Sequence, residues 1–262
     1  MTMLMKNKCG LILGVANERS IAWGITKVLA EAGAEIALTY QNENLLKRVG
    51  PLAETINSKI CMPADVQDNK SLDRLYKKIT QEWGRLDFLV HAVAYADKQE
   101  LTGRFVNSTR DNFLKSMDVS CYSFVNLAKR SIPLMVDGGS ILTVTYMGGQ
   151  RVTPNYNVMG PAKAALEASV RYLANDLGPE GIRVNAISPG PMKTLAGAAI
   201  GGARQVFRST EKNAPLRRNA DLDAVGNAAL FLLSGNSLAT TGEILYVDGG
   251  YHVMGLPQLE NL

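Results

Sequence analysis

Two tyrosines and a lysine are spaced so that they could act on one substrate. Tyr156 and Lys163 lie seven positions apart in a segment predicted to be helical, which places them two turns apart on nearly the same face. A phenol with a pKa of about 10 becomes a useful proton donor when a cation is held beside it. Tyr146 ends a predicted strand just before Gly148 and Gly149. Taken alone, these residues also fit ordinary surface positions with a solvated lysine.

The turn after the first predicted strand could hold a phosphate group. Gly14 opens this turn, Ser20 and Ile21 begin the following helix, and Gly24 allows that helix to pack closely. Free N–H groups and the helix dipole favour an anion at such a position, where α/β sheets bind the pyrophosphate of a dinucleotide. The usual G-x-G-x-x-G spacing is absent, so an ordinary strand-to-helix turn remains an open alternative.

The ends of the next three predicted strands bear on which nucleotide could bind. Gln41 follows the second strand without an acid for the ribose or an adjacent cation for a 2′-phosphate, which favours NADH over NADPH. Asp65, followed by Val66, could accept a hydrogen bond from an adenine amino group or cap the next helix. His91 is expected to be a hydrogen-bonded structural residue, and small residues such as Val93 after it leave room for a ligand.

Alternating strands and helices must position these residues. Seven apolar runs have the length of strands: 9–14, 35–40, 58–62, 88–91, 140–146, 183–188 and 244–247. Six segments between them have helical spacing: 21–32, 44–56, 71–83, 109–136, 155–177 and 221–233, the fourth of which admits a break near Asp118. This order predicts an α/β fold, a single doubly wound Rossmann-type domain over residues 1–262 with a seven-stranded parallel sheet. No linker or repeat divides the chain.

One long segment, residues 190–218, falls outside this alternation. Long connections inside compact domains are usually functional, so a lid over the ligand site is predicted, with a pair of ordinary surface helices as the alternative. Residues 192–218 contain six basic residues against the single acid Glu211, a net charge of +5. The basic residues are Lys193, Arg204, Arg208, Lys212, Arg217 and Arg218.

Composition excludes several classes of protein. The 262 residues include three cysteines without a C-x-x-C pair and only two histidines, so a disulfide framework, a metal site and a Ser-His-Asp triad are not expected. No apolar run approaches the roughly 18 residues that span a bilayer. A charge of +4 without blocks of like charge argues against nucleic acid. We therefore expect a cytoplasmic protein with no membrane or nucleic-acid partner.

Five motifs together identify a family resemblance that covers nearly the whole chain. They are Gly14-x5-Ser20-x3-Gly24, the end of the fourth strand, Tyr156-Asn-Val-Met-Gly-x-Ala-Lys163, residues 185–191 and residues 247–250. The chain resembles the short-chain dehydrogenase/reductase superfamily and, within it, the bacterial NADH-dependent enoyl-acyl-carrier-protein reductases. Ordinary members place the lysine four residues after the tyrosine. The Tyr-x6-Lys spacing, with Tyr146 ten positions earlier, is similar to the enoyl reductase arrangement.

The resemblance implies a reaction and a role for each residue. Hydride from NADH would reach the β-carbon of a trans-2-enoyl thioester while Tyr156 stabilises the oxyanion, Lys163 holds the nicotinamide ribose and Tyr146 positions the thioester. Ala96 joins the two tyrosines as a substrate-binding residue. The implied cofactor-binding residues are Gly14, Ser20, Ile21, Gln41, Asp65, Val66, Val93, Lys163, Met192, Lys193, Thr194, Leu195 and Ala196. The resemblance also implies NADH/NAD+ as cofactor, an acyl carrier protein as partner and a homotetramer.

Three residues depart from the family pattern. Ala94 replaces a usual glycine, Tyr95 replaces a usual phenylalanine, and Pro161 lies inside the predicted helix between Tyr156 and Lys163. Proline is tolerated in the first turn of a helix. Two other functions stay open: a 3-ketoacyl or other carbonyl reductase of the same superfamily, and a non-catalytic dinucleotide-binding module.

Overall fold

Seven parallel strands form one sheet in the part of the chain that the computed structural model describes, residues 3–198 and 201–261. The strands are β1 (Cys9–Leu13), β2 (Glu35–Tyr40), β3 (Ile60–Pro63), β4 (Phe88–His91), β5 (Gly139–Val144), β6 (Ile182–Pro189) and β7 (Ile244–Val247). Their order across the sheet is β3-β2-β1-β4-β5-β6-β7. This doubly wound order confirms the predicted fold class and places a topological switch point between β1 and β4, where ligands of such sheets bind.

Helices cover both faces of the sheet. They are α1 (Ile21–Glu31), α2 (Glu43–Thr55), α3 (Asn69–Trp83), α4 (Arg110–Met117), α5 (Ser123–Ser131), α6 (Met159–Leu177), α7 (Leu195–Ala198), α8 (Ala203–Asn213) and α9 (Leu222–Leu233). The break admitted near Asp118 is a π-helical turn, Asp118–Tyr122, between α4 and α5. Among the described residues, no helix combines the length and the apolar character needed to cross a membrane.

The apolar core consists of two layers, one on each face of the sheet. Along β1, Leu11 packs with the layer that includes α3, α5 and α6, whereas Ile12 packs with the layer that includes α1 and α9. Successive residues of a strand point to opposite faces, so burial of both faces requires the uninterrupted apolar runs seen in the sequence. The two layers hold the carboxyl ends of the strands in a fixed arrangement.

Close packing of α1 against α9 fixes the start of α1. A Cβ atom on Gly24 would lie 2.8 Å from the Cβ of Leu222, and a Cβ on Gly226 would lie 2.8 Å from the carbonyl oxygen of Gly24. Both distances are below van der Waals contact, so the two glycines allow the helices to touch along their backbones. The expectation that Gly24 permits close helix packing is confirmed.

The predicted helix 155–177 was placed too early, because α6 begins at Met159. Tyr156 therefore lies in a turn before the helix, between Asn155 and Asn157, whose φ angles are 59° and 37°. Asparagine tolerates this left-handed conformation better than most residues, and the conformation cannot continue as a right-handed helix. Pro161 consequently falls in the first turn of α6, where a proline is tolerated.

Candidate active site

A cleft of about 1550 Å³ runs along the carboxyl edge of the sheet. The predicted cofactor and substrate residues that line it are Gly14, Ser20, Ile21, Gln41, Asp65, Val66, Val93, Ala96, Tyr146, Tyr156, Lys163, Met192, Lys193, Thr194 and Leu195. Ala196 falls in α7, and its side chain lies outside the described part of the structure. One cleft therefore brings together residues that are separated by up to about 180 positions in the sequence.

The turn between β1 and α1 is shaped by Gly14 and Ser20. Gly14 has a φ of 107°, and a Cβ atom there would lie 2.1 Å from the carbonyl oxygen of Ala92, so only glycine fits. The hydroxyl of Ser20 accepts hydrogen bonds from the backbone N–H groups of Ala16 at 3.0 Å and Asn17 at 3.1 Å. Ser20 thus fixes the conformation of the turn at the N-terminus of α1, where the helix dipole attracts an anion.

Gln41 and Asp65 form a polar pair in the lining of the cleft. The Nε2 atom of Gln41 donates to Oδ2 of Asp65 at 3.3 Å, and Oδ1 of Asp65 accepts from the N–H of Gln67 at 2.9 Å. The cap of α3 is Asp68, whose carboxylate accepts from the N–H of Lys70 at 2.9 Å. The alternative that Asp65 caps the helix is therefore wrong, and Asp65 instead lines the cleft with its carboxylate bonded to Gln41 and Gln67.

The two tyrosine rings pack against each other above Gly148. The ring centroids of Tyr146 and Tyr156 are 5.1 Å apart, with the planes inclined at 62°. A Cβ atom on Gly148 would lie 2.5 Å from Cδ1 of Tyr156 and 3.3 Å from Cδ1 of Tyr146. A larger residue at this position would displace both rings, so Gly148 sets where the phenols stand.

Burial keeps both phenols protonated. Tyr156 is buried, and this burial, together with nearby Tyr146 and Glu167, raises its pKa far above the usual value for tyrosine. Burial, with Tyr251 and Asp248 as smaller causes, raises the pKa of Tyr146 to about 12. At neutral pH each phenol therefore carries a hydrogen that it can donate to a substrate oxygen.

Lys163 lines the same cleft as the tyrosines, with its ammonium group inside the protein. Its Nζ atom donates to the carbonyl oxygen of Val144 at 2.7 Å, and only 5% of the residue is exposed. Burial lowers the pKa of Lys163 to about 8, whereas Glu167 and Cys121 act in the opposite direction. The lysine thus remains mainly charged at neutral pH and can offer its remaining hydrogens to a ligand.

Two asparagines that the sequence analysis did not single out hold the turn of Tyr156. The side-chain amide of Asn155 donates to the carbonyl oxygen of Gly201 at 2.8 Å, and that of Asn157 donates to the carbonyl oxygen of Glu100 at 2.9 Å. The Pro154-Asn-Tyr-Asn sequence is a turn signal that could have identified them. The turn that carries Tyr156 is consequently tied to the backbone at Gly201 and at Glu100.

A small apolar cluster lies next to the tyrosines. Tyr156 packs with Leu101 and Met159, and the side chains of Ala96 and Tyr146 pack against this group. Leu101 and Met159 also line the cleft and were missed because isolated apolar residues carry no signal of function. This part of the cleft suits an apolar acyl chain, because apolar surface is favourably removed from water.

His91 has the structural role expected for it. It is fully buried, with Nδ1 at 2.8 Å from the hydroxyl of Thr143 and Nε2 at 2.8 Å from the hydroxyl of Ser123. Burial, assisted by the charge of Lys163, lowers the pKa of His91 to about 3. The imidazole is therefore neutral and its two nitrogen atoms are occupied.

The described residues of the segment 190–218, which are 190–198 and 201–218, form part of the cleft wall. The segment contains α7 and α8, so helices are present, and residues such as Arg204, Phe207 and Arg208 line the cleft. The Nζ atom of Lys193 lies 4.7 Å from the centroid of the Phe207 ring, which ties the beginning of the segment to α8. Its location makes the segment a candidate lid.

The fold and site together define a class of protein. A doubly wound sheet, a turn before α1 that suits a phosphate group, and a tyrosine and a lysine in the same cleft are features of a nucleotide-dependent reductase of the short-chain dehydrogenase type. The sequence model of the enoyl-(acyl carrier protein) reductase family matches residues 14–252. The chain belongs to this family.

Individual relatives are similar over nearly the whole chain. Enoyl-[acyl-carrier-protein] reductase [NADH] 2 of Rhizobium meliloti is 57% identical over 99% of this chain and 97% of its own. The NADH enoyl reductase of Rickettsia felis is 51% identical over 98% and 99%. The crystal structure of the Anaplasma phagocytophilum reductase, in complex with NAD, has a TM-score of 0.96 at 54% identity and covers 99% of both chains.

Proposed function

We propose that this chain reduces the trans-2 double bond of enoyl-acyl-carrier-protein thioesters with NADH during fatty acid elongation. The observation that carries the proposal is the Tyr146–Tyr156 pair, whose ring centroids lie 5.1 Å apart next to Gly148. The pair lines the same cleft as the buried Lys163. Family membership and the names of the relatives support the same reaction.

The residues along the cleft suit a nicotinamide dinucleotide. In this proposal Gly14, Ser20 and Ile21 hold the pyrophosphate at the N-terminus of α1, where N–H groups and the dipole favour it. Gln41, Asp65 and Val66 surround the adenosine, and Val93 lies along the cleft between the two ends. Residues 192–196 and Lys163 hold the nicotinamide end. Bound there, NADH supplies the hydride that reduces the β-carbon.

The Gln41–Asp65 pair supports a preference for NADH over NADPH. A 2′-phosphate near this pair would meet the carboxylate of Asp65, whose Oδ2 atom lies 3.3 Å from Nε2 of Gln41. Like charges repel, and no basic side chain stands next to Gln41 in the sequence to compensate. Titration of the protein with both nucleotides should give a lower Kd for NADH, and tighter binding of NADPH would contradict the assignment.

Tyr156 and Lys163 stabilise the charge that develops in the reaction. When the β-carbon gains a hydride, electrons shift to the thioester oxygen to form an enolate; the C=O bond is then regenerated as the α-carbon takes a proton from solvent, which completes the saturated product. Tyr156 keeps its proton because of its raised pKa and donates a hydrogen bond to this oxygen. Lys163 holds the ribose hydroxyls and adds its positive field. Tyr146 and Ala96 position the thioester.

The segment 190–218 acts as a lid that receives the carrier protein. Arg204 and Arg208 line the cleft, and residues 192–218 carry a net charge of +5. The acyl carrier proteins expected as partners from the family resemblance are small and acidic, so complementary charge would steer their approach. A solvated basic helix face without a partner is the alternative, and the charge reversal described in the Discussion separates the two.

The assembly and location belong to the same proposal. A homotetramer is expected from the resemblance, with β7 and the turn containing Gly249 and Gly250 near an interface; light scattering at the monomer mass would contradict it. A reducing cytoplasmic location agrees with the free thiols of Cys9, Cys61 and Cys121.

Comparing two thioester substrates tests the proposed function. With NADH, the protein should reduce a crotonyl thioester and leave an acetoacetyl thioester almost unchanged, because its Tyr-x6-Lys arrangement differs from that of the carbonyl reductases. Equal or faster NADH oxidation with the acetoacetyl thioester would instead identify a carbonyl reductase. NADH binding without turnover of either would identify a binding module.

A further inference from the structure

Glu167 is a buried acid for which the reaction described above has no role. It lies on α6 one turn after Lys163, and only 3% of the residue is exposed. Its Oε1 atom accepts a hydrogen bond from the hydroxyl of Thr145 at 2.8 Å, and its Oε2 atom accepts from Nε2 of Gln150 at 3.0 Å. Burial of a carboxylate costs free energy that these bonds offset, so a specific role is worth seeking.

The two hydrogen bonds of Glu167 hold the turn that carries the tyrosines. Thr145 immediately precedes Tyr146, and Gln150 follows the turn Met147–Gly149, whose Gly148 lies under both rings. A Cβ atom on Gly149 would lie 3.1 Å from Oε1 of Glu167, so this turn packs directly on α6. Glu167 therefore joins the turn of Tyr146 to the helix of Lys163.

The charge of Glu167 also acts on Lys163. Burial lowers the pKa of this lysine to about 8, and Glu167 is the largest influence in the opposite direction. The other titratable groups that face the pair come from neighbouring elements. They are His91 on β4, Cys121 in the π-helical turn, Tyr146 after β5, Tyr156 before α6, and Tyr246 on β7.

We propose that Glu167 is a positioning residue for the reduction, which holds the Tyr146 turn against α6 and keeps Lys163 charged where it binds the cofactor ribose. This inference rests on the proposed function. Without the carboxylate charge, Lys163 should lose its proton at a lower pH than in the unaltered protein. NADH binding should therefore weaken only at pH values at which Lys163 has become uncharged in the variant.

The test is the pH dependence of NADH binding in Glu167→Gln, which keeps the side-chain shape and removes the charge. In the unaltered protein the Kd for NADH should rise as the pH passes about 8, because Lys163 loses a donor to the ribose. In the variant we expect this rise to begin at least about one pH unit lower, which weakens binding about tenfold at pH values above both transitions. Well below both transitions the two proteins should bind NADH equally.

Thr145→Val is the matched control, because it removes one hydrogen bond of Glu167 without removing its charge. It should lower the melting temperature or kcat and leave the pH transition in place. Glu167→Asp keeps the charge but moves it back by one methylene group, so its transition should lie between those of Glu167→Gln and the unaltered protein. If Glu167→Gln does not fold, Glu167→Asp takes its place. The shorter side chain moves the negative charge, and this should still lower the pH at which NADH binding begins to weaken.

An unchanged transition in the folded Glu167→Gln variant, or in Glu167→Asp where it takes its place, would overturn the proposal. A lower melting temperature alone would then show that Glu167 only supports the fold. NADH binding is measured without the enoyl substrate, so the result does not depend on which thioester the protein reduces. Failure of the proposed function would appear separately, as absent reduction of the crotonyl thioester.

Discussion

The turns that carry the tyrosines and the segment 190–218 line the same cleft but are built differently. The tyrosine rings lie so close to Gly148 that a Cβ atom at this position would clash with them. Lys163 donates a hydrogen bond to the carbonyl oxygen of Val144 at the end of β5. The segment 190–218 carries exposed basic residues, and Asn155 connects it to the turn of Tyr156. In the proposed function, the two tyrosines and Lys163 carry out the chemistry, whereas the segment 190–218 selects which substrate reaches them.

Of the replacements considered, that of Tyr156 should have the largest effect, and the effect should be on kcat. Tyr156→Phe keeps the ring that packs on Gly148 and Tyr146 but removes the hydrogen donated to the oxyanion. We expect kcat with a crotonyl thioester to fall by roughly 10²–10⁴ while the Kd for NADH stays nearly the same. Steady-state kinetics and a fluorescence titration measure the two quantities. A decrease in kcat of less than about tenfold would show that Tyr156 does not stabilise the oxyanion.

Replacing Lys163 should affect the cofactor. Lys163→Met retains an unbranched apolar chain but removes the donor proposed for the ribose, so the Kd for NADH should rise by roughly 10- to 100-fold, the worth of one charged hydrogen bond. The same titration used for Tyr156→Phe measures this change, which makes the two variants controls for each other. Unchanged NADH affinity would be incompatible with the proposed role of Lys163.

Charge reversal in the segment 190–218 should affect one substrate only. In a variant with Arg204→Glu and Arg208→Glu, we expect the KM for a carrier-linked enoyl substrate to rise several-fold, on the order of 1 kcal/mol, while a short thioester reacts almost normally. The difference should shrink as salt screens the charges. KM values measured at low and high salt test this.

The matched control makes the same charge change elsewhere, with Arg74→Glu and Lys77→Glu on α3, whose exposed side chains lie outside the cleft lining. This control should leave both KM values nearly unchanged. If the Arg204 and Arg208 variant loses both substrates equally, those residues shape the pocket or the fold, and the docking role is wrong.

Because of the buried His91, the free energy of unfolding should decrease in acid. Its pKa is about 3 in the folded protein and about 6.5 when unfolded, so the unfolded chain binds the proton first. The stabilisation is therefore present above about pH 6.5 and is lost at about 1.4 kcal/mol per pH unit as the pH falls toward 3. Denaturant unfolding at several pH values should show a flatter acid dependence for His91→Gln. The same slope in both proteins would mean that His91 is protonated when folded.

Much of the fold could be predicted because it depends on local patterns. The bounds of β2, β4 and β7 match the predicted runs, since a strand buried on both faces must be continuously apolar. The start of α6 could not be predicted in the same way. The left-handed backbone at Asn155 and Asn157 ends one pattern before the other begins, and helical spacing alone does not reveal it.

The candidate site was predictable where spacing is specific and not where contacts join distant residues. Tyr-x6-Lys with Tyr146 upstream marked the side chains that line the cleft. Asp65 and Asp68 are three residues apart, and either could cap α3 by sequence, so only the observed hydrogen bonds distinguish them. Glu167 resembles an exposed helical acid in sequence, because its burial depends on packing against the turn after β5.

The most direct test of the central claim is the position of the transferred hydride. The protein should be given a crotonyl thioester with NADH that carries deuterium at both hydrogen positions of nicotinamide C4, and the product should be examined by NMR and mass spectrometry. The account predicts a saturated butyryl thioester with one deuterium at the β-carbon and a solvent proton at the α-carbon. Deuterium at the α-carbon, or none in the product, would contradict the assignment of this cleft to enoyl reduction.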